Sequence, residues 1–141
     1  MVLLFGCAST EKEFEKVTVI KTKKQIFQTG IATWYGKNFV GRKTSSGMIY
    51  DMYNFTAAHR DLPLRTIIRV TNVNNNRSVL ILVNDRGPVN EGLILDLSKI
   101  AANNIDITRK GSGKVEVEIL ATGNNPMQKI FDVYKNVGNG I

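Results

Sequence analysis

The stretch Val79–Pro88, which reads VLILVNDRGP, decides how the rest of the chain is interpreted. Five consecutive apolar residues between polar neighbours predict a strand that is buried on both faces. The strand ends abruptly at Asn84 and Asp85, because Gly87 and Pro88 favour a rigid turn. A carboxylate at that junction lies half in the apolar interior, which raises its pKa and suits it to general acid catalysis. The alternative is that Asp85 only accepts backbone hydrogen bonds in the turn.

Length and charge narrow the class of protein. A chain of 141 residues, 43% hydrophobic, is long enough for one domain with a real core but not for two. Nineteen Lys and Arg against twelve Asp and Glu give a net charge of +7, which predicts an anionic partner: nucleic acid, a lipid surface or an acidic polysaccharide. The chain has no run of five basic residues and no stripe of alternating basic and aromatic residues, which argues against nucleic acid.

The single cysteine, Cys7, excludes an internal disulfide and a zinc cluster built on thiolates. The residues Leu3–Ser9, LLFGCAS, resemble the lipobox of bacterial lipoproteins, in which the cysteine receives a diacylglyceryl group. Only a short apolar stretch precedes it, against the usual basic region and about 7–15 apolar residues. The alternative is a free cysteine in a frayed N-terminus. No stretch approaches the ~18 apolar residues needed to cross a bilayer.

Composition divides the chain into three parts. Residues 1–28 hold the lipobox-like N-terminus and a polar, Lys- and Glu-rich tether, whose hydrophobicity is too low to offset the entropy of ordering. Residues 29–121 form the predicted domain, and the glycine-containing residues 122–141 form a C-terminal tail.

Short strands dominate the predicted domain. The candidates are Gly30–Gly36, Asn54–His59, Ile67–Thr71, Val79–Val83 and Val115–Ile119. The Asn-rich residues 72–78 predict a hairpin between the third and fourth candidates. The residues Asp96–Ala102 predict a helix of about two turns that is capped by Asp96 or Ser98. Many short strands and one brief helix favour a small closed barrel, because a barrel leaves no open edges.

Seven sequence blocks follow one another through this domain. They are Gly30-x-Ala32-x-Trp34-Tyr35-Gly36, Gly41-Arg42-Lys43-Thr44-x-Ser46-Gly47, Tyr50-Asp51, Thr56-Ala57-Ala58-His59-x-x-Leu62-Pro63, Val70-Thr71-Asn72, Asn84-Asp85-Arg86-Gly87-Pro88 and Asp96-Leu97-Ser98. On these blocks the chain resembles the rare lipoprotein A family. The resemblance implies a mainly β fold, a six-stranded double-psi β-barrel with one or two short helices.

The resemblance also implies a function. Active members of that family are lytic transglycosylases, which cut the MurNAc–GlcNAc β-1,4 bond of peptidoglycan without water, leave a 1,6-anhydro-MurNAc end and favour strands without stem peptides. It implies a lipoprotein on the periplasmic face of the outer membrane, anchored through Cys7, whose partner is the glycan strand and not nucleic acid. We expect a monomer with no metal and no organic cofactor. The alternative is a non-catalytic peptidoglycan-binding lipoprotein, and endolytic or exolytic cleavage stays open.

The resemblance places the family's catalytic aspartate at Asp85, with His59 and Asp51 as neighbours in the cleft. Protonated Asp85 would give its proton to the leaving oxygen and then take one from the C6 hydroxyl. His59 would orient this acid, and Asp51 would stabilise the oxocarbenium charge or hold a sugar hydroxyl. The candidate substrate contacts are Tyr35, Thr44, Asn84 and Arg86. The alternatives are structural: a hydrogen-bonding His59, a core ring for Tyr35, and a turn scaffold for Arg86.

The chain departs from the family's pattern at three positions. Met48 stands where the family usually has Glu, Arg65 where it has Gly, and Leu93 where it has Arg. The first difference puts turnover in doubt more than fold, and it is the best argument for the non-catalytic alternative. We expect no sporulation-related repeat domain after the predicted barrel. A basic nucleic-acid-binding barrel is a second alternative, which the lipobox-like start disfavours.

Overall fold

The computed structural model describes residues 23–122, and their strands close into a six-stranded barrel. The strands are β1 (Gln28–Trp34), β2 (Thr56–Ala58), β3 (Ile67–Asn72), β4 (Ser78–Asp85), β5 (Leu93–Leu97) and β6 (Ser112–Ala121). A turn of 3-10 helix (Lys37–Phe39) follows β1, and the α-helix α1 (Lys99–Asn104) follows β5. The prediction of a mainly β, six-stranded barrel with one or two short helices is confirmed.

The strand order around the barrel is β1-β5-β2-β4-β3-β6, with β6 pairing back onto β1. The pairs β1–β5 and β2–β4 are parallel, whereas the other four pairs are antiparallel. The predicted hairpin is present, since β3 and β4 are antiparallel neighbours with Ile68 opposite Ile81. The loop that completes the site described below lies in the long connection between β1 and β2, two strands that β5 separates in the barrel.

Branched aliphatic side chains fill the barrel. Those that are fully buried include Ile68, Val70, Ile81, Val83, Leu95, Leu97, Val115 and Val117. Burial of one such side chain stabilises the fold by about 1.5–3 kcal/mol. On β4 only alternate residues point inward, and Leu80 is 44% exposed. The expectation that this strand is buried on both faces is therefore wrong, because each strand of a small barrel turns its second face outward.

The fifth strand differs from the sequence-based expectation. Asp96 lies within β5 opposite Thr33 of β1, and it does not begin the helix. The helix α1 begins only at Lys99, and its cap is Ser98, whose Oγ accepts a hydrogen bond from the amide of Ala101 at 3.4 Å. The buried side chains of Leu95 and Leu97 hold the preceding segment in the barrel wall as a strand.

The described residues leave some predictions untested. The division into tether, barrel and tail stays a prediction, and Cys7 lies outside residues 23–122. Within that range, no helix has the length and apolar character that a membrane crossing requires.

Parallel pairing of β2 and β4 places His59 and Asp85 at one end of the barrel. The ends of β2 and β4 point the same way, and Ala58 of β2 stands opposite Asp85 of β4. The residue after β2 is His59, whose amide donates to the carbonyl of Asp85 at 3.1 Å. Two of the predicted site residues therefore emerge from neighbouring strand ends.

Candidate active site

Asp85 is the centre of a hydrogen-bond cluster at this end of the barrel. Its Oδ2 accepts a hydrogen bond from the Tyr35 hydroxyl at 2.9 Å. Its Oδ1 accepts three, from the Ser45 amide at 2.9 Å, the Ser45 hydroxyl at 2.7 Å and the Arg86 amide at 2.8 Å. The carboxylate is half-buried, so one side of it still faces solvent.

These donors set the ionisation of the carboxyl group. Burial alone would raise the pKa of Asp85, but the hydrogen bonds from Ser45, Arg86 and Tyr35 favour the charged form and bring the pKa below its ordinary 3.8. Asp85 is therefore ionised at neutral pH in the free protein. The expectation of a raised pKa is wrong, because partial burial is outweighed by four hydrogen bonds.

Tyr35 lies immediately after β1 and lines the same end of the barrel. Its ring packs against those of Phe39 and Tyr50, with centroids 5.4 and 4.8 Å away. Burial, the hydrogen bond to Asp85 and the negative charges of Asp85 and Asp96 raise the pKa of Tyr35 far above its usual value. Its hydroxyl is therefore a permanent donor to the carboxylate.

The loop from Lys43 to Ile49 carries the second set of donors. The Thr44 amide and hydroxyl both donate to the carbonyl of Met48, at 2.7 and 2.8 Å, which closes the loop. The Ser46 amide donates to the carbonyl of Asn84 at 3.1 Å and so fastens the loop to the end of β4. Thr44 is buried in this closure.

Ser45 is the residue that sequence reasoning missed. It provides two of the four hydrogen bonds to Asp85, although the loop drew attention only to its neighbours. The signal was a run of three hydroxyl residues before Gly47, which adopts a φ of +89°. Such a glycine allows the chain to reverse tightly, which returns the loop toward the end of β4.

His59 does not contact the Asp85 carboxylate. The Nδ1 atom of His59 accepts the amides of Asp61 and Leu62, both at 3.0 Å, while Nε2 lies 2.8 Å from the Gln28 Oε1. The ring is only 2% exposed, and burial lowers its pKa below 6.5. These contacts hold the neutral tautomer, with Nδ1 accepting and Nε2 donating.

Arg86 and Asn84 flank the carboxylate in sequence but serve the scaffold in this structure. The Arg86 guanidinium donates to the carbonyls of His59 at 3.1 Å and Leu62 at 2.6 Å. This ties the turn after β2 to the end of β4. Asn84 is 2% exposed, and its carbonyl accepts the Ser46 amide.

The structure gives Asp51 a local partner. Its Oδ1 accepts the amide of Tyr53 at 2.9 Å, within its own turn, and the residue is exposed. No hydrogen bond joins it to Asp85 among the residues that the structure describes. Of the three predicted catalytic side chains, only that of Asp85 therefore belongs to the hydrogen-bond cluster.

A carboxylate that the sequence assigned to a helix cap belongs to this region as well. Asp96 accepts a hydrogen bond from the Thr33 hydroxyl through Oδ1. Its charge reaches the Tyr35 hydroxyl, since it contributes to the raised pKa of that group. Between residues 23 and 122, no group of three His, Cys, Asp or Glu side chains is arranged to hold a metal ion. The side chains described at this end of the barrel supply carboxylates and hydroxyl donors.

Comparison with known proteins shows which family the chain resembles. The family model described as lytic transglycolase matches residues 27–118. The chain is 46% identical over 102 residues to the endolytic peptidoglycan transglycosylase RlpA of Vibrio cholerae. The matched residues make up 72% of this chain and 39% of that protein. It is 48% identical over 111 residues to the protein of the same name from Campylobacter jejuni, covering 78% and 40%. The chain thus spans at most about two fifths of the length of these relatives.

Solved structures agree on the fold. The Streptomyces papain inhibitor superposes with a TM-score of 0.54 at 19% identity, over 70% of this chain and 99% of that one. The expansin of Clavibacter michiganensis gives 0.52 at 19%, over 68% and 51%. The barrel is of the double-psi type, and the resemblance noted in the sequence is confirmed. The chain belongs to the lytic transglycolase family of double-psi β-barrels.

Proposed function

We propose that this protein is a lytic transglycosylase that cleaves the MurNAc–GlcNAc β-1,4 bond of peptidoglycan. The observation that carries the proposal is the half-buried Asp85 carboxylate, which four donors hold in one orientation where the parallel strands β2 and β4 end. Membership of the lytic transglycolase family supports the reaction class. A fixed, solvent-facing carboxylate is what proton transfer to a bound sugar requires.

The proposed reaction needs one carboxyl group. Protonated Asp85 gives its proton to the glycosidic oxygen, and the C1–O bond breaks with its electron pair moving to that oxygen. The positive charge that develops on C1 and the ring oxygen is then quenched by the C6 oxygen of the same sugar. The Asp85 carboxylate takes the C6 hydroxyl proton as the C6 oxygen bonds to C1, which regenerates the acid and leaves a 1,6-anhydro end.

The lowered pKa of Asp85 constrains this scheme. The free protein holds mostly the carboxylate, so the acid form must be gained either from a more acidic medium or on substrate binding. A sugar that covers Asp85 removes water from the group, and a sugar that competes for the Ser45 hydroxyl removes a donor; both effects raise the pKa. We therefore expect turnover to increase as the pH falls from neutral.

The remaining predicted residues have supporting roles in this proposal. His59 acts as a positioning residue through the turn that it fills, and Arg86 holds the same turn against β4. Tyr35 fixes the carboxylate and offers an aromatic edge to the sugar. Thr44 and Asn84 hold the loop that carries Ser45, and Asp51 is assigned a contact with a sugar hydroxyl.

The finer assignments extend the same proposal. We propose that the substrate is a glycan strand without stem peptides. We propose that the protein is a monomer anchored through lipidated Cys7 at the periplasmic face of the outer membrane. Labelling with radioactive palmitate, followed by fractionation of the envelope, tests the anchor, and a Cys7→Ala chain is the control.

The first test replaces the proposed acid. We expect Asp85→Asn to abolish release of 1,6-anhydromuropeptides from purified sacculi, measured by chromatography and mass spectrometry, while its melting temperature stays near that of the parent. The matched control is Asp106→Asn, which removes a carboxylate from a left-handed position that Asn also tolerates. Anhydro products from the Asp85→Asn protein would rule out this acid.

One observation favours a second candidate function, a glycan-binding protein without turnover. An ionised Asp85 is a good acceptor for sugar hydroxyls and a poor acid at neutral pH. Pelleting with sacculi together with no anhydro products between pH 4 and 8 would support this candidate.

A further inference from the structure

The two carboxylates Asp85 and Asp96 lie in one row across the barrel wall. Thr33 of β1 stands opposite Asp96 of β5, and Asp96 stands opposite Ala58 of β2. Ala58 in turn stands opposite Asp85 of β4. The row therefore places two acids on either side of a single alanine.

This row fixes how far apart the acids are. Neighbouring strands lie about 4.8 Å apart, so the Cα atoms of Asp85 and Asp96 are roughly 9–10 Å apart. Residues that stand opposite one another on neighbouring strands project their side chains to the same face of the sheet. Asp85 and Asp96 therefore lie on the same face of the barrel wall, one on each side of Ala58.

The surroundings of Asp96 leave one of its oxygens available. Oδ1 accepts the Thr33 hydroxyl, whereas no donor within residues 23–122 hydrogen-bonds Oδ2. The side chain is half-buried, and neither ion pair formed within residues 23–122 includes it. The Oδ2 atom of Asp96 is therefore available to accept a contact from a ligand.

Gly87 lies beside this oxygen. A Cβ atom at position 87 would lie 3.9 Å from Asp96 Oδ2 and 3.7 Å from the Cβ of Ala58, both ordinary van der Waals contacts. The φ of Gly87 is +135°, a conformation that residues with a side chain rarely adopt, so glycine is favoured there and the turn after β4 passes Asp96 without a side chain.

We infer that Asp96 is a second catalytic carboxylate, whose Oδ2 faces the sugar and stabilises the positive charge that develops on C1 and the ring oxygen. This inference rests on the proposed function and assigns to Asp96 the electrostatic role that the sequence suggested for Asp51. The Asp51 carboxylate is occupied in its own turn by the Tyr53 amide. An anion fixed beside a developing cation stabilises the transition state more than the ground state.

The kinetic test uses Asp96→Asn, because the amide oxygen still accepts the Thr33 hydroxyl and so keeps the barrel contact. We expect kcat for anhydro-sugar release to fall about a hundredfold with KM within about twofold, as for loss of a preorganised electrostatic group. Thr33→Val, which removes the hydroxyl but leaves the carboxylate, is expected to lose far less. A kcat for Asp96→Asn within twofold of the parent overturns the inference.

A binding test separates this inference from the proposed function. The probes are a GlcNAc–iminosugar disaccharide with a protonated ring nitrogen and neutral N,N′-diacetylchitobiose, titrated by calorimetry into the full chain. We expect Asp96→Asn to weaken the cationic probe about tenfold or more and to leave the neutral probe unchanged. Equal loss for both probes, or no preference for the cation in the parent, overturns the inference. Charge-selective binding without anhydro products would instead refute the proposed function alone.

Discussion

At the scale of single residues, the His59 amide donates to the Asp85 carbonyl, yet the two side chains have different hydrogen-bond partners. Asp85 is a carboxylate that receives four donors, whereas the His59 ring gives and receives hydrogen bonds away from that carboxylate. Residue type and motif spacing brought both to the same end of the barrel. They did not reveal the partner of each polar atom, because hydrogen bonds depend on rotamers that the sequence pattern does not encode. That is why the sequence predicts Asp85 at the end of its strand but not the direction of its pKa shift.

His59 provides a test at this scale. We expect His59→Ala to lower the free energy of unfolding by about 2–4 kcal/mol, because the buried amides of Asp61 and Leu62 lose their acceptor. Urea unfolding followed by tryptophan fluorescence measures this change. A variant of parental stability would show that these two hydrogen bonds do not stabilise the fold.

The same residue predicts a pH dependence of stability. Burial lowers the pKa of His59 in the folded state below the 6.5 of the unfolded chain. Between those two values the unfolded chain binds a proton that the folded chain does not, so the free energy of unfolding decreases as pH falls below 6.5. Below the folded pKa that contribution stays constant. His59→Ala is expected to lose this dependence.

At the scale of elements, local patterns predicted those strands whose neighbours are close in sequence. The β3–β4 hairpin and the alternating β6 were predicted because a turn signal or a period of two marks them. The strand β5 was missed because Asp96 in its apolar run resembles a helix cap, and because its partners β1 and β2 are remote along the chain. The loop Lys43–Ile49 was recognised as a loop, but its clamp on Asp85 depends on a contact across forty residues.

That loop also carries Met48, which gives the element-scale prediction. The Met48 carbonyl closes the loop through Thr44, while Ser45 of the same loop binds Asp85. A carboxylate at position 48 would place a second negative charge on this clamp and raise the pKa of Asp85. We expect Met48→Glu to increase anhydro-sugar release at pH 7 about tenfold and to move its alkaline limit to higher pH.

The matched control for this change is Ile49→Glu, which adds the same charge one residue along the loop. Ile49 is exposed and pairs with Lys43, so its side chain has room for the change. Equal rate increases in both variants would mean that added charge alone, rather than its position beside Ser45, governs turnover.

At the scale of the whole molecule, the number of strands and the closure of the barrel were predictable. Short strands with one wet face need a closed sheet, and seven collinear blocks pointed to one family. The strand order β1-β5-β2-β4-β3-β6 does not follow from local patterns, because two of its pairs are parallel and join segments distant in sequence. The row that joins Asp96 to Asp85 exists only because of that order, so no local sequence motif predicts it.

The net charge of +7 yields a prediction at the same scale. MurNAc without a stem peptide carries a free lactyl carboxylate, and stem peptides carry carboxylates of their own, so a basic protein should be attracted to peptidoglycan over distances longer than a contact. Raising the salt from 0.1 M to 1 M shortens the Debye length from about 10 Å to about 3 Å. We therefore expect pelleting with purified sacculi to weaken at least about fivefold over this range, while binding of neutral N-acetylated chitohexaose stays constant.

Two charge reversals show whether this attraction is diffuse. Arg42 lies beside the candidate site, with its guanidinium 5.4 Å from the centre of the Phe39 ring, whereas Lys110 lines a separate pocket with Asp106. Each reversal lowers the net charge by two, so a diffuse field predicts that Arg42→Glu and Lys110→Glu weaken pelleting equally at low salt. Loss confined to Arg42→Glu would show that a direct contact at the groove, and not the overall charge, attracts the glycan. Salt-independent pelleting of the parent protein would show that its charge does not attract it to peptidoglycan.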